Sequence, residues 1–309
     1  MLTVLFAAGA ARWAAYEEPL AQAFAEAGLQ ARIVTDCAPE DADYIIYAPG
    51  GEFADFGPFV NCKAVLSLWA GVERIVGNQT LTQPLCRMVD PALEAGMVEW
   101  VAGHVLRYHL GMDAQIHNSD RAWIPDAPPL ASERPVTVLG MGELGRACAK
   151  ALIGLGFPVS GWSRSPRQVE GVTTHHGEAG LQAALRDAQI VVTLLPFTPD
   201  TENLINATTL SWLPKGAYLI NPGRGPLIDD QALIKALDAG QLAHATLDVF
   251  RIEPLPQEHP FWAHPKVTVT PHIAAATREA TASRVIAENV RRGEAGEPFL
   301  YLVDRQRGY

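Results

Sequence analysis

The chain has 309 residues, 48% of them hydrophobic and 19% charged, and its 34 acidic against 24 basic side chains give a net charge of −10. That length suits two domains of ordinary size better than one, and the apolar share supports real cores without a disorder signature. The acidic balance argues against nucleic acid as a partner, which needs a basic footprint, but leaves room for a small anion held by a local arginine.

Four cysteines (Cys37, Cys62, Cys86, Cys148) lack CxxC or CxH spacing and are expected as buried, reduced thiols; no metal site is expected. No basic segment precedes the short apolar run at the N-terminus, and no stretch approaches the roughly 20 apolar residues of a membrane span. A cytoplasmic protein is the expectation.

In chain order, TVLFAA, ARIVTD, DYIIYAP and KAVLSLW read as strands, and EEPLAQAFAEAG reads as an amphipathic helix ending at Gly28. Strands alternating with helices predict a parallel sheet covered on both faces. MVEWVAGHVLRYHLGM reads as a long apolar helix able to cross from one domain to the next, and a polar, Pro-rich connection follows it. From Pro135 a strand, a glycine turn, a helix and a strand follow. Further strands are expected at AQIVVTLLP, AYLINPG, HATLDVF and VTVTPHI, then a helix within ATREATASRVIAENVRRGEAG.

Gly140-Met141-Gly142-Glu143-Leu144-Gly145 matches GxGxxG. Alone that pattern is weak, but here it follows the strand PVTVL and opens a helix, the context of a dinucleotide turn. The first glycine makes the tight turn, the second lets the backbone approach a pyrophosphate, and the third lets helix and strand pack closely. The pyrophosphate would rest on free N–H groups at the helix N-terminus. An NAD site usually carries a carboxylate about 20 residues on, at the end of the next strand. Ser163 stands there instead, followed by Arg164 and Ser165. Without a carboxylate to repel a 2′-phosphate, and with a guanidinium shaped to bind one, NADP(H) is preferred and NAD(H) remains possible. The plainer reading of Arg164 is a solvated loop cation.

Three later segments each set a polar side chain where a strand ends: Arg224 in NPGRG, Glu253 in DVFRIEPLP and His272 in TPHIAA. Ligands of open α/β sheets bind outside the carboxyl ends of strands. Hydride addition to a ketone builds negative charge on oxygen, which calls for a proton donor and a nearby cation. His272 can be the acid, and Glu253 on its other ring nitrogen would fix the tautomer and support the charged ring. Arg224 can hold a substrate carboxylate and polarise the keto oxygen. Each residue alone has a bland alternative; their joint occurrence after a dinucleotide turn is the signal. The other histidines are read as structural.

LGMGELG, LLPFTPDTENLI, NPGRGPLIDDQALIKALDAGQL, ATLDVFRIEPLP and VTVTPHIAA, in this order, resemble the D-isomer-specific 2-hydroxyacid dehydrogenases over nearly the whole chain. WSRS, FRIEPLPQEHPFWAHPKVTVTPHIAAATR and the terminal VDRQRGY are most similar to the glyoxylate/hydroxypyruvate reductase A subgroup. The resemblance implies two Rossmann-like, doubly wound parallel-sheet α/β domains with a cleft between them. A flavodoxin-like substrate domain would comprise residues 1–93 and 275–309, and a dinucleotide-binding domain residues 94–274. It makes Arg224, Glu253 and His272 the catalytic set. Leu195, Pro196, Pro222, Gly223 and Asp248 would line the cofactor, and N–H groups of Trp69, Ala70, Gly71 and Val72 would grip the substrate carboxylate. It also implies reduction of glyoxylate to glycolate and of hydroxypyruvate to D-glycerate, by a homodimer.

Two positions depart from the family pattern. The substrate loop, GAGV followed by Asp or Glu in its familiar form, reads Trp69-Ala70-Gly71-Val72-Glu73 here. An indole there either narrows the pocket or packs in a domain interface, so a bulkier 2-oxo acid stays open as substrate. The arginine turn carries a Pro222-Gly223 pair, with Arg224 retained. Glu253 in place of Gln argues against formate-acting members of the fold. A dinucleotide-sensing, corepressor-like binding protein is the alternative from another class; turnover of a 2-oxo acid separates the two.

Overall fold

The computed structural model describes residues 1–48, 53–306 and 308. It divides into two compact units, Met1–Leu93 with Ala276–Tyr309 and Glu94–Ala275. Pro49 of the third expected strand segment, and Arg307 and Tyr309 of the terminal motif, lie outside the described residues.

The first unit opens with β1 (Leu2–Ala7), which turns at Gly9 into α1 (Ala10–Glu26). Gly9 has φ +91°, a conformation open to glycine and costly for other residues. The helix begins seven residues before the expected segment. The alanine-rich run 10–15 has high helix propensity, and burial of Tyr16, Leu20, Ala23 and Phe24 offsets the hydrogen bond lost at Pro19. Then come β2 (Ala31–Val34), β3 (Tyr44–Tyr47), β4 (Ala64–Ser67), β5 (Leu85–Cys86) and α2 (Pro91–His109). Asp90 caps α2, its Oδ1 accepting from Ala92 and Leu93 N–H at 2.8 and 3.2 Å. This start lies six residues before the apolar pattern does, because a proline at the first helical position hides it from periodicity.

The five strands form a parallel sheet in the order β2-β1-β3-β4-β5. This is a doubly wound order whose switch point lies between β1 and β3.

The second unit continues through α3 (Met112–Ile116), β6 (Val136–Leu139), α4 (Glu143–Gly154), β7 (Val159–Ser163), β8 (Thr173–His176) and α5 (Gly177–Arg186). After these come β9 (Ile190–Thr193), α6 (Ala207–Ser211), β10 (Ala217–Asn221), α7 (Asp230–Asp238), β11 (Leu242–Leu247), α8 (Pro260–Ala263) and β12 (Val267–Val269). Its seven-stranded parallel sheet runs β12-β11-β10-β9-β6-β7-β8, with the switch point between β6 and β9. The central strands are buried along their whole length, which is why they read as unbroken apolar runs.

The chain ends with α9 (Glu279–Ala295), whose Ala282, Ile286, Ala287 and Val290 join Val4, Phe6, Leu20 and Phe24 in one core of the first unit. Two parallel-sheet α/β domains, the expected fold class, are thus what the chain forms.

Candidate functional site

The glycine turn sits after β6 at the switch point. Gly140 has φ +109°, and a Cβ there would stand 2.5 Å from the Leu194 carbonyl oxygen. A Cβ on Gly145 would stand 1.7 Å from the Gly140 oxygen, so the first turn of α4 presses directly on the turn before it. At Gly142 the same construction meets no atom within 4 Å. Two glycines are therefore demanded by the protein's own packing, and the middle one faces open space at the N-terminus of a twelve-residue helix. That combination fits a dinucleotide pyrophosphate: an approachable backbone and unpaired helix N–H groups. Glu143 forms an ion pair with Arg146, and Leu144 packs on the apolar cluster beneath.

Ser163 ends β7 almost buried, and its hydroxyl donates to the Ser165 carbonyl at 2.8 Å, closing a small turn that presents Arg164 outward. Leu195 is buried against the second unit's core, and the Pro196 carbonyl accepts from the Thr201 hydroxyl at 2.8 Å.

Arg224 follows β10 on a compressed loop. A Cβ on Gly223 would stand 2.7 Å from the Thr193 oxygen, and one on Gly225 would stand 2.0 Å from the Phe250 carbonyl carbon. The glycine of the unusual Pro-Gly pair is thus required by the neighbouring strand. Asn221, fully buried, fastens this loop: its Oδ1 accepts from Thr193 Oγ1 at 2.6 Å and Gly223 N–H at 3.1 Å, and its amide donates to the Arg224 carbonyl at 3.0 Å. No role for Asn221 or Thr193 is visible in the sequence, since their partners come from another strand.

His272 and Glu253 meet: His272 Nδ1 lies 2.8 Å from Glu253 Oε2. A carboxylate only accepts, so Nδ1 carries the hydrogen and Nε2 is left for other chemistry. Glu253 is itself set by the Phe250 N–H, which donates to its Oε1 at 2.9 Å. His272 holds the left-handed backbone value φ +54°, a conformation of order 1–2 kcal/mol above the usual regions for a non-glycine residue.

Asp248 stabilises that turn. Its carboxylate is fully buried and accepts from Thr270 Oγ1 (2.6 Å), Ile273 N–H (2.9 Å) and Ala274 N–H (2.9 Å), while its carbonyl accepts from His272 N–H at 2.8 Å. Asp248 thus braces the segment that carries His272.

In the first unit, the Trp69-Ala70-Gly71-Val72 loop follows β4. Trp69 N–H is engaged by the Ser67 hydroxyl at 3.1 Å, and the Trp69 carbonyl accepts from Met88 N–H at 3.0 Å. Among the described residues, the N–H groups of Ala70, Gly71 and Val72 have no partner within the chain. The Trp69 indole packs on the first unit's core with the Arg12 guanidinium 5.8 Å from its ring centre.

Burial lowers His104 and His244 to about 4, so both are neutral near pH 7 and act as packing groups. A cavity of about 370 Å³ beside α7, lined by Asn203, Asp229, Asp230, Arg251 and His259 among others, contains none of the expected site residues. Its polar groups bond largely to one another, Arg251 to Asn203 and the Ile228 carbonyl.

The profile of the D-isomer specific 2-hydroxyacid dehydrogenase NAD binding domain matches residues 104–274. The chain is 39% identical over 300 residues to a glyoxylate/hydroxypyruvate reductase A of Yersinia enterocolitica, covering 91% of this chain and 95% of that one. It is equally similar to its counterpart in Serratia proteamaculans, with 94% of each chain covered. Among solved structures, a D-isomer specific 2-hydroxyacid dehydrogenase from Xanthobacter autotrophicus Py2, in complex with NADPH and MES, superposes with TM-score 0.92 at 40% identity, covering 100% of this chain and 99% of that one. An NADPH-dependent glyoxylate/hydroxypyruvate reductase from Sinorhizobium meliloti, with NADP and sulfate bound, gives 0.85 at 33% identity and the same coverage. The chain belongs to the D-isomer specific 2-hydroxyacid dehydrogenases and is an NAD(P)-dependent enzyme of that family.

Proposed function

We propose that the enzyme reduces small 2-oxo acids, glyoxylate to glycolate and hydroxypyruvate to D-glycerate, with NADPH preferred to NADH. The observation that carries this reading is the His272–Glu253 pair at 2.8 Å, set on the same parallel sheet as the glycine turn. The names of the relatives, and the NADPH and NADP held by two of them, support the choice of substrate and cofactor.

When bound, the reduced nicotinamide supplies the hydride that the keto carbon accepts. Arg224 binds the substrate carboxylate and draws electron density toward the keto oxygen. His272 gives its Nε2 proton to that oxygen, and the neutral ring that remains keeps its Nδ1 hydrogen on Glu253. Trp69, Ala70, Gly71 and Val72 are assigned to the substrate carboxylate, the N–H groups of the last three having no partner among the described residues. Gly140, Gly142, Glu143, Leu144 and Gly145 receive the pyrophosphate. Ser163, Arg164 and Ser165 receive the 2′-phosphate, and Leu195, Pro196, Pro222, Gly223 and Asp248 line the rest. A cytoplasmic homodimer completes the proposal: Ile116, Leu130 and the 93%-exposed Trp123 leave apolar surface for a second copy to cover.

Initial rates with NADPH and NADH against glyoxylate, hydroxypyruvate, pyruvate and phenylpyruvate test it. Fast NADPH oxidation with the first two is the expected result; turnover only with phenylpyruvate would overturn the substrate assignment. Arg164→Ala is expected to weaken NADPH about tenfold or more, the loss of a charge-assisted phosphate contact, with NADH nearly unchanged. Equal losses for both would remove Arg164 from the 2′-phosphate.

The glycines make a contrasting pair. Gly145→Ala forces α4 off its turn, an overpacking of about 1–3 kcal/mol, and should lower the melting temperature. Gly142→Ala meets open space, so it should melt as wild type yet bind dinucleotide at least tenfold more weakly. Wild-type binding by Gly142→Ala would place the pyrophosphate elsewhere.

A further inference from the structure

Arg164 lies on the turn after β7 and Asp200 on the loop after β9, and these strands flank β6 on either side. The glycine turn follows β6. The two loops therefore leave the same edge of the sheet on either side of that turn, and their side chains meet: Arg164 Nη1 lies 3.2 Å from Asp200 Oδ2.

The Asp200 side chain is 72% exposed, and the backbone that carries it is fastened. Thr198 N–H donates to Thr201 Oγ1 at 2.8 Å, Thr201 N–H donates back to the Thr198 carbonyl at 3.0 Å, and Thr201 Oγ1 reaches the Pro196 carbonyl. Asp200 sits at the apex of this fastened turn.

We infer that Asp200 is an internal competitor for the 2′-phosphate: its carboxylate occupies the Arg164 guanidinium that the phosphate would use, and so limits the preference for NADPH over NADH. The inference rests on the cofactor reading above. A phosphate taken up by Arg164 comes within a few ångströms of a carboxylate of the same sign, and it must share or displace that carboxylate's hydrogen bond. NADH brings only a neutral hydroxyl to the same place and escapes both effects. The pair is exposed and screened by solvent, so the effect is modest, about three- to tenfold in affinity.

The test is equilibrium titration of the purified enzyme with NADPH, NADH and 2′,5′-ADP, followed by intrinsic tryptophan fluorescence, for wild type, Asp200→Asn, Arg164→Ala and the double variant. Asp200→Asn should tighten NADPH and 2′,5′-ADP about three- to tenfold and leave NADH within about twofold. The gain should shrink as salt is raised and vanish in the Arg164→Ala background, the sign of a pairwise effect. Unchanged or weaker NADPH binding in Asp200→Asn would overturn the inference, weaker binding showing that Asp200 holds Arg164 in place for the phosphate. If Arg164→Ala weakens both dinucleotides equally, the cofactor reading fails; if that variant is selective and Asp200→Asn has no effect, only the competition fails.

Discussion

Replacing His272 with asparagine is expected to lower kcat by about 10²–10⁴-fold, the range for loss of a general acid, while dinucleotide affinity stays near wild type. Asparagine is the informative substitution because of the backbone. His272 holds φ +54°, and asparagine tolerates that left-handed conformation where alanine would add strain of its own. The variant thus removes the proton donor and the partner of Glu253 while keeping the turn. Single-turnover rates with saturating NADPH, together with a fluorescence titration, separate chemistry from binding. A decrease of less than tenfold would mean that another group protonates the oxygen.

Asp248→Asn is expected to be nearly as damaging by a different route. The carboxylate is fully buried and accepts three hydrogen bonds, two from backbone N–H groups that immediately follow His272. An amide in its place turns one acceptor into a donor and sets it against the Ile273 or Ala274 N–H. Hydrogen bonds to a charged group are worth about 1.5–3 kcal/mol, so melting should fall by several degrees. Without its brace the strained turn at His272 relaxes, and a displacement near 1 Å at the reacting group costs on the order of 10²-fold in rate. kcat should fall far more than NADPH affinity. A variant that melts early but turns over normally would show that Asp248 supports the sheet and not the histidine.

The glycine turn was legible from sequence because its constraints are local and steric: only glycine fits where a Cβ would stand 1.7 Å from a carbonyl oxygen. The buried strands were legible because parallel sheets covered on both faces need continuous apolar runs. β8 was not, since Thr173–His176 is a polar, partly exposed edge strand without alternation. Nor was the brace at Asp248, whose donors arrive from 22 to 26 residues downstream. Asn221 stood in plain view within NPGRG, yet its partner Thr193 ends a different strand 28 residues earlier. Hydrogen bonds of that kind exist only once the sheet has assembled, so spacing in the chain does not show them.

The first unit is built from both ends of the chain, with α9 completing the core that β1 and α1 begin. On the ribosome this sets an order of events. The segment Glu94–Ala275 is continuous and can fold as it emerges, whereas residues 1–93 wait for a helix encoded roughly 180 residues later. At about 5–20 residues per second, the apolar faces of Leu20, Phe24 and the β1 strand stay without their final cover for on the order of 10–40 s. Nascent chains of this protein thus carry a half-finished N-terminal unit for as long as residues 94–278 are being made.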